Sequence, residues 1–371
     1  MKTLIHSTQI FSPQDQKLST GWAIIENGKI TSQGVGEHPQ LKEEHEILDG
    51  TGNILTRGYT DIHCHGGGGV AFEDPEECHT ALKTHREQGT LRVIASLVTN
   101  QVPDMCDTVA ALAQRCQEYA QPTQEHAALV GIHLEGPFLS PLHKGAHRED
   151  YLTAPTPELA EQLIEAGQGY IKQVTLAPET DRDLAATKTF VRHGVRVAVG
   201  HTDANYEQAK AAFDAGATLL THTFNAMSPL HHRAPGPIAA ALDTPDVTCE
   251  VIVDGTHVYA PMVRMLFAQT SERVALITDA MAAAGCCDGN YKLGSLDVTV
   301  KESVARLDSN GAIAGSTLTL GRATRTAYSF GIPLEQVLSS ATTIPAQALG
   351  ISDDYGLLLL DEELHLVRSF V

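Results

Sequence analysis

Residues 58–66, Gly58-Tyr59-Thr60-Asp61-Ile62-His63-Cys64-His65-Gly66, read as a short buried strand that runs out onto two histidines and a glycine. Four later stretches repeat the plan: Leu134-Glu135-Gly136-Pro137-Phe138, Gly200-His201-Thr202, residues 221–227 (THTFNAM) and residues 277–281 (ITDAM). Each follows an apolar run, and each carries a side chain that binds metals or moves protons: His63 and His65, Glu135, His201, His222, Asp279. Any one of these motifs is a weak signal. Their order along the chain is the strong one, because a barrel enzyme builds its site from the ends of several different strands.

Working outward, apolar runs recur at 59–65, 91–98, 128–135, 171–178, 195–201, 218–224, 247–254 and 273–280. Helical segments lie between most of them, for example 75–89, 183–194 and 206–216; the last two close on Gly194 and Gly216, as helix C-termini do. A series of β-then-α units implies parallel strands joined by right-handed crossovers. Continuous apolar runs suit strands covered on both faces. The count of eight predicts an α/β fold, a (β/α)8 TIM-type barrel, over an open doubly wound sheet. No GxGxxG follows the first strand, which speaks against dinucleotide binding.

The flanks differ. Residues 1–56 read as strands and turns, with hairpin signals at Asn27-Gly28 and Gly50. Residues 286–312 read as an inserted β-ribbon ending in the Asn310-Gly311 turn, and helices return at 316–331 and 333–350. The last stretch, 357–371, reads as strand, turn, strand. The expected organisation is a small β-sandwich domain from both chain ends (1–56 plus 351–371) and a barrel over 57–350.

The bulk properties exclude several classes. A chain of 371 residues holds a barrel of roughly 250 residues with an appendage. No run of about 18 apolar residues exists, so no membrane span is expected. The N-terminus lacks the apolar core of a signal peptide. The seven cysteines are scattered with no CxxC, which predicts free thiols and a cytoplasmic location. A net charge of −19 argues against nucleic acid and anionic membranes as partners.

The chemistry follows from spacing. His63 and His65, two apart on a strand, point to one face; Cys64 points away and is read as an apolar filler. Gly66–Gly69 let the chain turn sharply. Glu135 ends an apolar strand, and a carboxylate buried there needs a metal or a cationic partner. His133 shares its face and is read as packed. Glu135, His201 and His222 make a His₂Glu set that leaves a coordination position for water, which a divalent metal acidifies to a pKa near 7. His63 and His65 complete that site or hold a second metal. Zinc suits these donors first; iron, cobalt and manganese accept them too. Asp279 suits a general base and then acid, against the plainer reading of a helix N-cap. His257, in Asp254-Gly255-Thr256-His257-Val258, stands where it could polarise a carbonyl.

On HLEGPF (133–138), KGAH (144–147), GHT (200–202), THTFNAMSPLHHRAPG (221–236), DGTHV (254–258), TDAM (278–281) and AGSTLT (314–319), the chain resembles the amidohydrolase superfamily and, within it, the N-acetylglucosamine-6-phosphate deacetylase family. The resemblance spans nearly the whole chain. It implies hydrolysis of N-acetylglucosamine 6-phosphate to glucosamine 6-phosphate and acetate by metal-activated water, with Glu135, His201 and His222 as core ligands and Asp279 as acid/base. It implies substrate contacts at Ala146, Asn225, Ala226, His257, Ile313, Ala314 and Gly315. Arg233 resembles a phosphate-binding arginine that reaches across a homodimer interface, and guanidinium suits phosphate. Two departures stand out: some members lack the His63/His65 pair, and the C-terminal region is short, with 353–356 running directly into 357–367. Two other readings stand beside it: an amidohydrolase acting on another N-acyl amine or a cyclic amide, and a barrel kept for assembly without catalysis. Enzymes of the first kind often use a carboxylated lysine on strand four. Residues 171–179 place none at the strand's end, and Glu135 fills the bridging role instead.

Overall fold

The computed structural model describes residues 2–40, 46–354 and 356–371; within the expected small domain, positions 1, 41–45 and 355 lie outside the described residues. The N-terminal strands are β1 (Lys2–Ser12), β2 (Lys17–Glu26), β3 (Lys29–Gly34), β4 (Glu46–Asp49) and β5 (Ile54–Arg57). The barrel follows with β6 (Tyr59–Cys64), a two-residue hairpin of β7 (Gly66–Gly67) and β8 (Val70–Ala71), then β9 (Thr90–Val98), β10 (Ala128–Glu135), β11 (Ile171–Leu176), β12 (Arg196–Val199), β13 (Leu219–Leu220), β14 (Thr248–Ile252) and β15 (Val274–Ile277). The chain ends with β16 (Gly289–Leu293), β17 (Leu296–Lys301), β18 (Val304–Leu307), β19 (Leu357–Leu360) and β20 (Leu366–Phe370).

The eight expected barrel strands form one parallel sheet in chain order, β6-β9-β10-β11-β12-β13-β14-β15. It closes between its first and last members: Cys64 and Ala280 form a parallel bridge, and Asp279 N–H donates to the His63 carbonyl at 2.9 Å. The buried Asp61 carboxylate reinforces the seam by accepting from Thr278 Oγ1 at 2.6 Å. Strand β9 is buried at every residue, as a strand between barrel interior and helical shell must be. The helix expected over 183–194 begins at Ala185, because Asp183 and Leu184 hold positive φ and the Asp181 carboxylate accepts from Ala186 and Thr187 N–H.

The small domain joins both chain ends. Strand β19 pairs antiparallel with β5, so the short C-terminal region still completes a seven-stranded sheet, β20-β19-β5-β1-β2-β3 with β4 also on β1. The run of four leucines is covered on both sides: Leu357 and Leu359 pack with Ile5, Ile25 and Phe370, whereas Leu358 and Leu360 join the barrel core. Asn27 and Gly28, at φ 49° and 69°, make the expected hairpin. Gly50 does not: β4 and β5 both run parallel to β1. The glycine is needed because a Cβ there would stand 2.6 Å from Thr8 Cβ. The insertion is a three-stranded antiparallel sheet, β16-β17-β18, with its own small core around Val298 and Ala314.

Candidate active site

The side chains picked from the strand ends converge at the C-terminal mouth of the barrel. Glu135, the last residue of β10, is the centre. Its Oε1 lies 3.2 Å from His201 Nε2, 3.1 Å from His222 Nε2 and 3.3 Å from His63 Nε2. Its Oε2 lies 3.1 Å from His65 Nε2. Asp279 Oδ1 faces His65 Nε2 at 3.4 Å and His63 Nε2 at 3.7 Å, so its carboxylate looks into the cluster and the helix-cap reading falls.

Three of these residues are placed by backbone that L-residues seldom adopt. His201, His222 and Asp279 follow their strands at φ 46°, 26° and 49°. Such a conformation costs on the order of 1–3 kcal/mol and persists only when its surroundings over-determine it. Here they do. The His201 carbonyl accepts from Ser140 N–H, that of His222 from Asn225 N–H, and that of Asp279 from Ser316 N–H.

The charges are arranged to hold a cation. Burial pushes the Glu135 carboxyl up, but the His63 charge and hydrogen bonds from His147, His201 and His222 outweigh it and leave the group well below the carboxylate range. Burial likewise opposes ionisation of Asp279, and His63 and His65 reverse it. The field is reciprocal. Burial pulls His65 down, yet Asp279 and Glu135 bring it to about 9. Two buried carboxylates thus keep positive charge between them. Imidazole nitrogens 3.0 Å apart, as in His201 and His222, are donors that suit a divalent metal. His63, His65, Glu135 and Asp279 form one compact potential ligand group, and Glu135, His147 and His201 another.

A cavity of about 430 Å³ opens over this cluster. Of the expected substrate contacts, Ala146, Asn225, Ala226, His257, Ile313 and Gly315 line it. Ala314 does not; its side chain is buried in the core of the insertion. Arg233 lies elsewhere, exposed, with Nη1 2.8 Å from His232 Nε2. His63 sits beneath the cavity floor, fully buried. His257 is anchored through Nδ1 to Asp254 Oδ2 at 2.6 Å. His133, read as packed, is also bonded, to Ser96 Oγ and Thr175 Oγ1. Cys64 faces away from the histidine pair, as expected, but is no mere filler: its thiol lies 3.2 Å from His85 Nε2, which also contacts the Gly66 carbonyl.

Sequence reasoning passed over three residues. His147 lines the cavity, and its Nδ1 accepts from Thr99 N–H, which leaves the Nε2 proton facing Glu135 Oε2 at 3.5 Å. Burial holds this ring neutral, at about 4. Its signal was present in KGAH. Asp254, three residues before His257, was legible as a turn-forming aspartate. Glu250 was legible as a carboxylate inside the apolar run 247–254.

A barrel whose mouth gathers histidines and carboxylates around one bridging glutamate defines a class, the metal-dependent hydrolases built on this fold. The model of the amidohydrolase family matches residues 54–360, and the chain belongs to that family. It is 37% identical over 306 residues to the N-acetylglucosamine-6-phosphate deacetylase of Vibrio furnissii, covering 82% of this chain and 76% of that one. It is 34% identical over 337 residues to the N-acetylgalactosamine-6-phosphate deacetylase of Escherichia coli O157:H7, covering 88% of each. The structure of a mutant N-acetyl-D-glucosamine-6-phosphate deacetylase from Mycobacterium smegmatis, in complex with N-acetyl-D-glucosamine-6-phosphate, superposes with a TM-score of 0.92 at 37% identity, covering 99% of this chain and 97% of that one.

Proposed function

We propose that this chain hydrolyses N-acetylglucosamine 6-phosphate to glucosamine 6-phosphate and acetate. The observation that carries the reading is the convergence of His201, His222, His63 and His65 on the single carboxylate of Glu135. Glu135, His201 and His222 would hold one divalent metal, and His63 and His65 with Glu135 a second; zinc fits best. Such a metal supplies Lewis acidity and a water acidified to near neutrality. Asp279, held as a carboxylate at the edge of the cluster, takes the proton of the attacking water and returns it to the leaving amine. His257 donates to the acetamide oxygen, its ring fixed by Asp254. Ala146, Asn225, Ala226, Ile313 and Gly315 shape the sugar site, with Ala314 contributing backbone.

Arg233 would bind the phosphate of a neighbouring subunit's substrate in a homodimer. Its exposure, away from the cavity lined by its own chain, supports that reading. Residues 1–56 with 351–371 act as a small domain beside the catalytic barrel. Seven free cysteines support a cytoplasmic setting; among the described residues no helix is long and apolar enough to cross a membrane.

The likeness to an N-acetylgalactosamine-6-phosphate deacetylase favours a second reading, in which the galacto epimer is the substrate. Acetate release from the two 6-phosphates, and from unphosphorylated N-acetylglucosamine, tests both. Turnover of neither phosphate would remove the proposal.

A further inference from the structure

Glu250 is the third residue of β14 and is fully buried inside the barrel. A buried carboxylate is costly to keep, and among the described residues no lysine or arginine pairs with it. Its contacts show what it serves. Oε1 accepts from Gln173 Nε2 at 2.7 Å. Oε2 lies 3.2 Å from His63 Nδ1 and 3.4 Å from the backbone N–H of His222. An ionised carboxylate only accepts, so Nδ1 of His63 is the donor. Once the ring gives up its other proton to bind a metal, its lone pair lies on Nε2, the nitrogen 3.3 Å from Glu135 Oε1 and 3.2 Å from His65 Nε2.

We propose that Glu250 is the positioning residue that makes His63 a metal ligand. It fixes the tautomer and angle of that ring, and by holding His222 N–H it registers this half of the centre against the other. The inference rests on the metal-centre reading above, and it follows the general behaviour of metal-bound histidines, whose second ring nitrogen donates to a carboxylate or carbonyl.

Two substitutions separate the acceptor from the charge. Glu250→Leu removes the acceptor. Glu250→Gln keeps one, because its amide can turn its oxygen to His63 and its nitrogen to Gln173, whose own amide oxygen has no hydrogen-bond partner among the described residues. The full-length protein is loaded with zinc, freed of excess, and its metal counted by elemental analysis and by competition with a chelator. The expected result is two equivalents in the wild type, one in Glu250→Leu, and two in Glu250→Gln. The weaker site of the leucine variant should bind about 10–100-fold less tightly. Two equivalents of unchanged affinity in the leucine variant overturn the role of Glu250 alone. One equivalent in the wild type, bound with unchanged affinity by the leucine variant, also overturns it, while the deacetylase reading stands. No metal in the wild type overturns both. Should the leucine variant fail to fold, long-range nitrogen–proton spectra of the zinc-loaded wild type decide: His63 protonated at Nδ1 is expected, and protonation at Nε2 overturns the assignment.

Discussion

His201 and His222 leave different strands 21 residues apart, yet their Nε2 atoms stand 3.0 Å from one another. Both nitrogens also face one oxygen of Glu135. Two imidazoles turned toward each other at this distance need a proton or a cation between them. Chelation should therefore abolish acetate release, and a divalent metal should restore it. Glu135→Ala should emerge from gel filtration without metal where the wild type retains at least one equivalent. Full activity after exhaustive chelation would remove the metal from the mechanism.

Asp279 lines the cavity without belonging to the His₂Glu set, so its loss leaves the donors of that set in place. Asp279→Asn should lower kcat by about 100- to 10,000-fold while elemental analysis still finds at least one equivalent of metal. A turnover within a few-fold of normal would assign the proton to another group.

The pair His257–Asp254 sets a pH dependence. Burial pulls the His257 imidazolium down, but Asp254 outweighs it, and the ring's pKa is raised. With Nδ1 committed to Asp254, only the protonated ring has a second proton to offer substrate. The ratio kcat/KM should hold as pH passes the ordinary histidine value of about 6.5 and fall above the raised one. Asp254→Asn should move that alkaline limb down by about 1–3 pH units. Stability carries the same sign. The raised folded pKa stabilises the protein fully below about pH 6.5, and that contribution is lost as pH rises through the folded value. The gap in Tm between wild type and variant should narrow as pH rises. A pH profile that does not move on substitution would take His257 out of the titration.

Arg233 can be tested in mixed dimers. Arg233→Ala should raise KM for the phosphorylated sugar far more than for the unphosphorylated one. Mixing Arg233→Ala with Asp279→Asn subunits should restore activity, because a hybrid dimer then has one site with an intact aspartate and the partner's intact arginine. If the arginine served its own chain's site, no hybrid site would be whole and mixing would restore nothing.

Gly200 explains why His201 follows a glycine. A Cβ there would stand 2.6 Å from Thr221 Cβ and 2.8 Å from Thr175 Cγ2, inside the barrel. Gly200→Ala should cost about 1–3 kcal/mol in denaturant unfolding, the usual penalty of overpacking. A wild-type midpoint would show that the interior yields there.

The eight strands, their order and the strand-end residues Glu135, His201, His222 and Asp279 were legible in the chain because they obey local rules. A strand covered on both faces must be apolar throughout, and the polar residue that ends it is conspicuous against that run. The insertion and the terminal hairpin were legible through turn chemistry at Asn27-Gly28 and Asn310-Gly311. Other features arise only when distant segments meet. That Gly50 turns between two strands both parallel to β1 depends on pairing with a strand far back in the chain. That Ala314 faces a core while Ile313 and Gly315 face the cavity depends on how the insertion docks. Glu250 could be noticed as a charge out of place, but its partners, His63, Gln173 and the backbone of His222, come from three other strands or strand ends. Local propensity acts between neighbours in sequence. Which oxygen meets which nitrogen is decided by barrel closure, which brings β6 against β15 and gathers the ends of β6, β10, β12, β13 and β15 around Glu135.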